Sequence, residues 1–187
     1  RCLSLNVNCI EKALTKPPFP VLSTERLMLR ELRHSDAPTL LEIRGNAQVM
    51  RWMGMNALQD LEAAHHTVSQ FLAGRVERIS DGQLLGTCGV FGWAKEWKKC
   101  ILGYELAVGA QRLGFMHEAL SAILPWTFEQ LELHRIEALI HPDNLASLKL
   151  AQRLGFQIEG TLREMAFWNG AHHDMVQLGL LRRDFSP

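Results

Sequence analysis

The sequence lacks an excess of either charge and lacks any long apolar run. Its 187 residues include 20 Lys plus Arg and 20 Asp plus Glu, so the formal net charge is +0. A chain without net charge has no overall field to attract nucleic acid or anionic lipid, and we expect neither as a partner. The longest apolar stretch, residues 119–126, is interrupted by Ser121 and Pro125. A membrane span needs roughly 20 apolar residues, so we expect none here.

Regular cysteine spacing is also missing. The four cysteines are Cys2, Cys9, Cys88 and Cys100. They form no C-x-x-C pair and have no histidine at the spacing of a zinc site, so we expect no disulfide framework, no bound metal and reduced thiols. The first residues lack the apolar core of a secretory signal, which makes the cytoplasm the expected location.

What is present is the composition of an ordinary globular domain. Hydrophobic residues make up 47% and charged residues 21% of the chain, and this length suits one folded unit. Prolines at 17, 18 and 20 favour extended backbone, so residues 1–22 are predicted to be an N-terminal arm. The folded domain is then expected over residues 23–187.

Apolar periodicity predicts a mixed α+β fold. Alternation with a period of two predicts strands over residues 26–32, 75–79, 84–91, 101–108 and 134–140, and two more around the Asn169–Gly170 turn. A period of 3.6 and capping residues predict helices over residues 36–45, 60–74, 114–131 and 144–154. We therefore expect about six to seven strands and about four helices. Between Gly74 and Arg75 no room is left for a connection, so either the loop is unusually tight or residues are missing from the sequence there.

The loop before the longest helix is a candidate anion site. Residues 109–116 contain two glycines and Arg112 and lead directly into that helix. Helix N-termini present unpaired N–H groups at the positive end of the helix dipole, and a diphosphate would need several of them together with the Arg112 side chain. A glycine-containing loop that binds nothing is the alternative, and this segment alone leaves it open.

Several segments in order resemble the GNAT family of N-acetyltransferases. The family's acyl-CoA loop has the pattern Q/R-x-x-G-x-G/A, which residues 111–116 match at Gln111 and Gly114 but not at Met116. Asn144-Leu-Ala-Ser147 and the Gly155-Phe156 pair are similar to two later family signatures. With Thr24-Glu-Arg-Leu near the start, the resemblance covers roughly residues 22–184 and is closest to the ribosomal-protein alanine N-acetyltransferase branch.

This resemblance implies a sheet whose two central strands are splayed, with acetyl-CoA as cosubstrate in the opening. The opening is expected between residues 105–108 and 135–140, with the pyrophosphate on the loop amides. The residues implied in binding acetyl-CoA are Leu106, Ala107, Val108, Gln111, Arg112, Leu113, Gly114, Phe115, Met116, Asn144 and Ser147. Without the resemblance, Asn144 and Ser147 are equally an ordinary helix N-cap and a first-turn serine.

The catalytic candidates follow from the needs of acetyl transfer to an amine. A base must accept a proton and the departing thiolate must be stabilised. Glu105 is the proposed base, with a surface glutamate paired to a neighbour as the alternative. The family's usual acid, a tyrosine in the last helix, is replaced by Ala151, and Ser147 is the proposed substitute. The only tyrosine, Tyr104, is expected on the opposite strand face from Glu105.

The function expected from the resemblance is acetyl transfer from acetyl-CoA to a primary amine by direct attack in a ternary complex, with a protein N-terminus as the favoured acceptor. A small amine such as a polyamine, an amino acid or an antibiotic is one alternative acceptor. A non-catalytic acyl-CoA sensor of the same fold and a binding domain without cofactor are the others. The protein is expected to be a monomer or homodimer. Four tryptophans on or near predicted loops are candidates for the wall of an acceptor cleft: Trp52, Trp93, Trp97 and Trp168.

Overall fold

A computed structural model describes residues 18–70 and 72–185 of the chain. Within them one sheet has the strand order β1-β2-β3-β4-β5-β6-β8-β7. The strands are β1 (Leu22–Ser23), β2 (Leu27–Glu31), β3 (Leu72–Arg78), β4 (Leu84–Ala94), β5 (Lys99–Leu106), β6 (Arg135–Ile140), β7 (Gln157–Trp168) and β8 (Ala171–Leu181). The helices are α1 (Ala37–Arg44), α2 (Ala47–Met50), α3 (Leu61–Gln70), α4 (Phe115–Gln130) and α5 (Leu145–Arg153). All neighbouring strands are antiparallel except β5 and β6, which are parallel.

The mixed α+β class predicted from the sequence is confirmed. The described residues contain one strand and one helix more than the sequence predicts, and these are the short β1 and α2. Strand β1 has two residues and α2 has four, which is too short for periodicity to detect. Helix α2 is nevertheless capped locally, because the Asn46 side chain accepts a hydrogen bond from Gln48 N at 2.9 Å.

The predicted boundary between the second helix and the following strand is wrong. Helix α3 ends at Gln70 and β3 begins at Leu72, so the helix does not extend to Gly74. Gly74 and Arg75 are held between two strands, with β4 on one side and β2 on the other. A Cβ atom on Gly74 would lie 2.0 Å from the Phe19 ring. Pairing on both edges and this close contact override a local helical pattern.

The two faces of the sheet carry different helices. The main core lies between the sheet and helices α4 and α5, and it includes Cys100, Leu102 and Tyr104 from alternate positions of β5. A smaller cluster on α1 and α2 includes Ile43 and Met50. Since successive side chains of a strand point to opposite faces, odd-numbered residues of β5 face α1 and α2.

The end of the predicted N-terminal arm that the structure describes contacts the sheet. Phe19 is buried in the main core beside Trp126, with ring centroids 6.2 Å apart, and Leu22 pairs with Leu29. Residues 1–17 lie outside the described part of the chain, so the division at residue 22 stays a prediction. Within residues 18–70 and 72–185, none of the helices combines the length and the hydropathy that a membrane span requires. The cytoplasmic location stays a prediction.

Candidate active site

The two central strands separate along most of their length. Strands β5 and β6 are paired at only three positions, where Lys99, Cys100 and Ile101 face residues 135–137. Beyond this point β5 continues to Leu106 and β6 to Ile140 without pairing to each other. The sheet therefore contains a V-shaped gap, as the resemblance implied, but the gap lies between residues 102–106 and 138–140. The expected opening along residues 135–137 is wrong, because these residues pair with β5.

A cleft of about 160 Å³ passes through this gap. It is lined on one side by residues from α1 and the segment after α2, and on the other by the start of α5. The lining residues are Arg44, Trp52, Met53, Met55, Thr87, Gly89, Val90, Phe91, Ile101, Leu102, Gly103, Tyr104, Glu105, Ala138, Leu139, Ile140, Asn144 and Ser147. Because both sheet faces contribute, the cleft connects the two sides of the sheet.

Glu105 lies in this cleft as half of a buried ion pair. The residue is 5% exposed, and its Oε1 atom accepts hydrogen bonds from Arg44 Nε at 2.8 Å and from Thr87 Oγ1. The alternative prediction of a surface glutamate paired to a neighbour is therefore wrong about the exposure of Glu105, although the pairing is present. The second oxygen, Oε2, accepts no hydrogen bond from the described residues. One carboxylate oxygen is thus fixed by the protein, and the other remains for a ligand.

The loop before α4 presents a run of free amides. Among the described residues, nothing accepts a hydrogen bond from the backbone N–H groups of residues 112–116. Gly114 adopts φ 82°, a left-handed conformation that glycine tolerates best. Arg112 adopts φ 63°, which is unusual for a residue with a side chain. Consecutive amides in such a turn, at the positive end of α4, form a concave site for an anion.

A cluster at the start of β2 fixes this loop. Arg26 Nη1 donates to the Leu113 carbonyl at 3.1 Å, and Arg26 Nε donates to Glu118 Oε2 at 2.7 Å. The guanidinium also lies 4.5 Å from the centre of the Phe115 ring. Burial alone would raise the pKa of Glu118, but hydrogen bonds from Thr24 and Arg26 outweigh it and hold the pKa below its usual value. Glu118 therefore stays charged and neutralised beside the anion site.

Leu106, Ala107 and Val108 are predicted to bind acetyl-CoA at the edge of β5, but only Leu106 lies on this strand. Strand β5 ends at Leu106, Ala107 follows it in the turn and Val108 begins a short 3₁₀ helix (Val108–Ala110), so the predicted strand conformation of Ala107 and Val108 is wrong. The Ala107 N–H donates to the Leu85 carbonyl at 2.8 Å, which anchors the turn to β4. Gln111 Nε2 donates to the Leu106 carbonyl at 3.1 Å. This bond ties the side chain of Gln111 to the end of β5.

The start of α5 faces the same cleft. Asn144 is the N-cap, and its Oδ1 accepts a hydrogen bond from Ser147 N at 3.2 Å. Both side chains line the cleft, so the N-cap function and a ligand contact are compatible. Tyr104 Oη donates to the Ser147 carbonyl at 3.4 Å. Ala151, one turn later on α5, is buried and presents no polar group.

The four tryptophans do not act together. Trp52 lines the cleft and is stacked on His141 at 4.2 Å. Trp168 is buried behind it and is stacked on His173, whereas Trp93 packs on the main core. Trp97 is 74% exposed. Only Trp52 of the four therefore lines the cleft.

Cysteine and histidine side chains provide no metal centre in the described part of the chain. Cys88 and Cys100 are free and buried, and burial raises the pKa of each thiol to about 12. No group of three or more His, Cys, Asp or Glu residues could hold a metal ion there. His172 and His173 contact different aromatic rings, as expected for adjacent strand residues.

Sequence reasoning missed the residues that support the site. Arg44 and Thr87, which hold Glu105, belong to no short motif, because their partner lies 61 and 18 residues later in the chain. Arg26 and Glu118 lie 92 residues apart. Both Arg26 and Glu118 lie in or next to segments that carry the family resemblance. That resemblance was the one feature of the sequence that could have indicated their role.

Comparison with known proteins agrees with this geometry. Residues 26–157 match the family described as "Acetyltransferase (GNAT) domain". The uncharacterized N-acetyltransferase YoaA of Bacillus subtilis (strain 168) is 33% identical over 165 residues, covering 83% of this chain and 93% of that protein. The [ribosomal protein uS5]-alanine N-acetyltransferase of Escherichia coli (strain K12) is 35% identical over 88 residues, 47% of this chain and 45% of that one. The structure of spermidine N-acetyltransferase from Vibrio cholerae with CoA and spermine superposes with a TM-score of 0.78 at 20% identity, covering 86% of this chain and 98% of that one.

Proposed function

Because this chain belongs to the GNAT family of N-acetyltransferases, which use acetyl-CoA as cosubstrate, we propose that its acceptor is the N-terminal α-amine of a protein. The amine attacks the acetyl thioester directly in a ternary complex. The observation that carries the proposal is one cleft that runs through the gap in the sheet and has Glu105 in its wall, near a loop with free amides.

The residues around the gap fit the parts of acetyl-CoA. The free amides of residues 112–116 suit the diphosphate, and the Arg112 side chain adds a positive charge. The edge of β5 at residues 102–105, which does not pair with β6, suits the amide groups of the pantetheine arm, while the Leu106 carbonyl is already bonded to Gln111 Nε2. Asn144 and Ser147 are placed to contact the same arm from α5. Acetyl-CoA supplies the activated acetyl group as a thioester.

Glu105 is the base that accepts the proton of the attacking amine. Arg44 and Thr87 hold Oε1, so Oε2 is the oxygen left to accept a hydrogen bond and then a proton from the amine. An α-amine has an ordinary pKa of about 7.7 to 8.0, compared with about 10.4 for lysine. A substantial fraction is therefore already neutral near pH 7.5, and a weak base suffices.

The walls of the cleft favour one amine with an apolar neighbour over a polyamine. Glu105 is the only carboxylate among the lining residues, and it is already paired with Arg44. Trp52, Met53 and Met55 supply apolar surface on the α1 side. A polyamine would bring further ammonium groups that this cleft does not neutralise. The similarity to the ribosomal-protein alanine N-acetyltransferase supports the same choice.

Thiol release from acetyl-CoA with a panel of acceptors tests this proposal. The panel contains peptides with free N-terminal alanine or serine, the same peptides with a blocked N-terminus and one lysine, spermidine, and free amino acids. We expect release with the free N-termini at a kcat/KM at least about 100-fold above spermidine, a difference of about 2.7 kcal/mol. A preference for spermidine refutes the acceptor class. Binding of acetyl-CoA without release with any amine identifies an acyl-CoA sensor.

Glu105→Gln tests the assignment of the base. We expect CoA to bind within about threefold of the wild type while kcat falls about 100- to 10,000-fold. The exposed Glu129→Gln on α4 is the matched control and should be fully active. Breaking a buried ion pair costs about 3 to 5 kcal/mol of folding free energy, so Glu105→Gln alone could fail to fold. The double variant Arg44→Met/Glu105→Gln leaves no unpaired buried charge, and it should fold but remain without turnover. Unchanged turnover in Glu105→Gln removes Glu105 from the mechanism.

A further inference from the structure

We propose that the Tyr104 hydroxyl donates a hydrogen bond to the sulfur of the departing thiolate, in place of the tyrosine that α5 lacks at Ala151. This inference rests on the proposed acetyl transfer, and it gives to Tyr104 the role that the sequence analysis proposes for Ser147. Its first support is that Tyr104 and Glu105 are consecutive residues of β5 and both line the cleft. Neighbouring strand residues normally cannot serve one ligand, because they point to opposite faces. Here the gap in the sheet gives both of them access to the same cleft.

Tyr104 and Glu105 lie on opposite faces of the sheet, so we expect each side chain to contact a different substrate. Glu105 contacts Arg44 at the end of α1, on the face with Trp52 and Met53. Tyr104 is packed in the core shared with α4 and α5, and its hydroxyl reaches the backbone of α5. The free amides lead into α4, which packs on this second face. The thioester therefore enters from the Tyr104 face and the amine from the Glu105 face, so sulfur departs toward Tyr104.

The Tyr104 hydroxyl is loosely held. Its hydrogen bond to the Ser147 carbonyl, at 3.4 Å, is longer than the usual 2.5 to 3.0 Å for two oxygens. Burial raises the pKa of Tyr104 to about 12, so the hydroxyl keeps its proton at neutral pH and acts as a donor. Ala151 is 2% exposed, and the chain contains one tyrosine. Within the cleft lining, Tyr104 is therefore the one phenol available.

The step balances without a further reactant. The amine nitrogen forms a bond to the acetyl carbon, the carbon–sulfur bond breaks, and sulfur keeps the electron pair as a thiolate. The proton lost by the amine goes to Glu105 and from there to solvent. Tyr104 shares its proton with sulfur through the hydrogen bond but does not lose it, and the thiolate takes a proton from solvent on release. The products are the amide and free CoA thiol.

The single tyrosine allows a direct test in the intact protein. Incorporation of 3-fluorotyrosine places one fluorine at residue 104, and ¹⁹F NMR is recorded with CoA and with desulfo-CoA, which lacks the sulfur. We expect the resonance to move with CoA, more at pH 9 than at pH 7, and to move at most about a quarter as far with desulfo-CoA. Equal shifts with both nucleotides, or none with CoA, overturn the inference. If neither nucleotide binds, the proposed function fails as well.

Kinetics of Tyr104→Phe provide the second test. The phenyl ring preserves the packing, so we expect an unchanged melting temperature, a KM for acetyl-CoA within about threefold, and a kcat lower by about 100-fold, as for loss of one preorganised donor. Glu129→Gln, an exposed residue of α4 outside the cleft lining, is the control and should leave both kcat and the ¹⁹F response in place. Full activity in Tyr104→Phe overturns the inference about Tyr104. If Glu105→Gln is inactive in the same assay, the proposed acetyl transfer still stands, without a role for Tyr104.

Discussion

Replacement of Arg26 by alanine should weaken CoA binding although Arg26 lies outside the cleft. Its guanidinium connects the Leu113 carbonyl, the Glu118 carboxylate and the Phe115 ring. These three groups belong to the loop with the free amides and to the first turns of α4. Without Arg26 the amides lose the contact that holds them in one orientation, and the anion must then order the loop when it binds.

The size of the effect follows from the contacts. The Arg26 side chain is 43% exposed, so its ion pair with Glu118 contributes at most about 1 kcal/mol. The hydrogen bond to Leu113 adds about 0.5 to 1.5 kcal/mol, and the contact with the Phe115 ring about 0.5 to 1 kcal/mol. We expect a loss of about 2 kcal/mol in the free energy of unfolding. For a chain of this length that lowers the melting temperature by about 4 to 8 °C.

Charge contributes a second, separable effect on CoA binding. In Arg26→Ala the Glu118 carboxylate loses its counter-charge and remains within the first turns of α4, where it repels a diphosphate. Together with the loosened loop, this should raise the Kd for CoA about 5- to 30-fold, or about 1 to 2 kcal/mol. Arg26→Ala/Glu118→Gln removes the unpaired charge and should recover part of the affinity but not the lost thermal stability.

Calorimetric titration with CoA and thermal melts measure both effects. Arg183→Ala is the matched control, since that side chain is 76% exposed and its one ion pair among the described residues is with Asp184. It should change neither the Kd nor the melting temperature. Wild-type affinity and stability in Arg26→Ala would refute the idea that β2 positions the loop. A double variant that binds CoA more weakly than Arg26→Ala would refute the electrostatic part.

Three further changes test other features of the structure. Arg112→Gly should be more stable than Arg112→Ala by about 1 kcal/mol in denaturant titrations, because the φ of 63° at this position suits glycine. Both variants should lose CoA affinity equally. Equal stability of the two variants would contradict this prediction. Burial lowers the pKa of His141, whose Nδ1 accepts a hydrogen bond from Asp143 N, so the unfolded chain takes up a proton first on acidification. The free energy of unfolding should therefore fall as the pH drops below the ordinary value of 6.5, and a parallel pH profile in His141→Gln would argue against this. Gly86→Ala should lose about 3 kcal/mol or more, because its Cβ would lie 2.0 Å from a β5 carbonyl oxygen, whereas Gly160→Ala, with open space around it, should behave as the wild type.

The sequence predicted the fold where local patterns and packing agree. The long helix α4 was expected over residues 114–131 and is found at Phe115–Gln130, because its apolar face and its glycine N-cap indicate the same element. The strand at Leu72–Arg78 was misplaced because its first residues continue a helical pattern. Their pairing partners lie on β2 and β4, and such long-range contacts cannot be deduced from local periodicity.

The site, like the fold, could be predicted from the sequence only where it depends on local patterns. A short segment sufficed to indicate an anion-binding loop, since unpaired amides are a local property of a turn leading into a helix. The environment of Glu105 was not predictable, because Arg44 lies on α1, 61 residues earlier in the chain, and reaches Glu105 only when α1 packs on that face of the sheet. The role proposed for Tyr104 likewise depends on the distance between β5 and α5, which no motif encodes.

The gap between β5 and β6 is the feature that would let one strand serve both proposed substrates. A paired strand has a continuous neighbour, so its two faces are separated by backbone and no small molecule touches both. Where pairing stops after Ile101, this barrier is removed, and Tyr104 and Glu105 become the two walls of a single passage. The unpaired backbone groups would each cost about 1 to 3 kcal/mol if they were buried without partners. They are tolerable only if water or a ligand reaches them, so the same absence of pairing that opens the passage also leaves donors and acceptors that would match the amides of the proposed pantetheine arm.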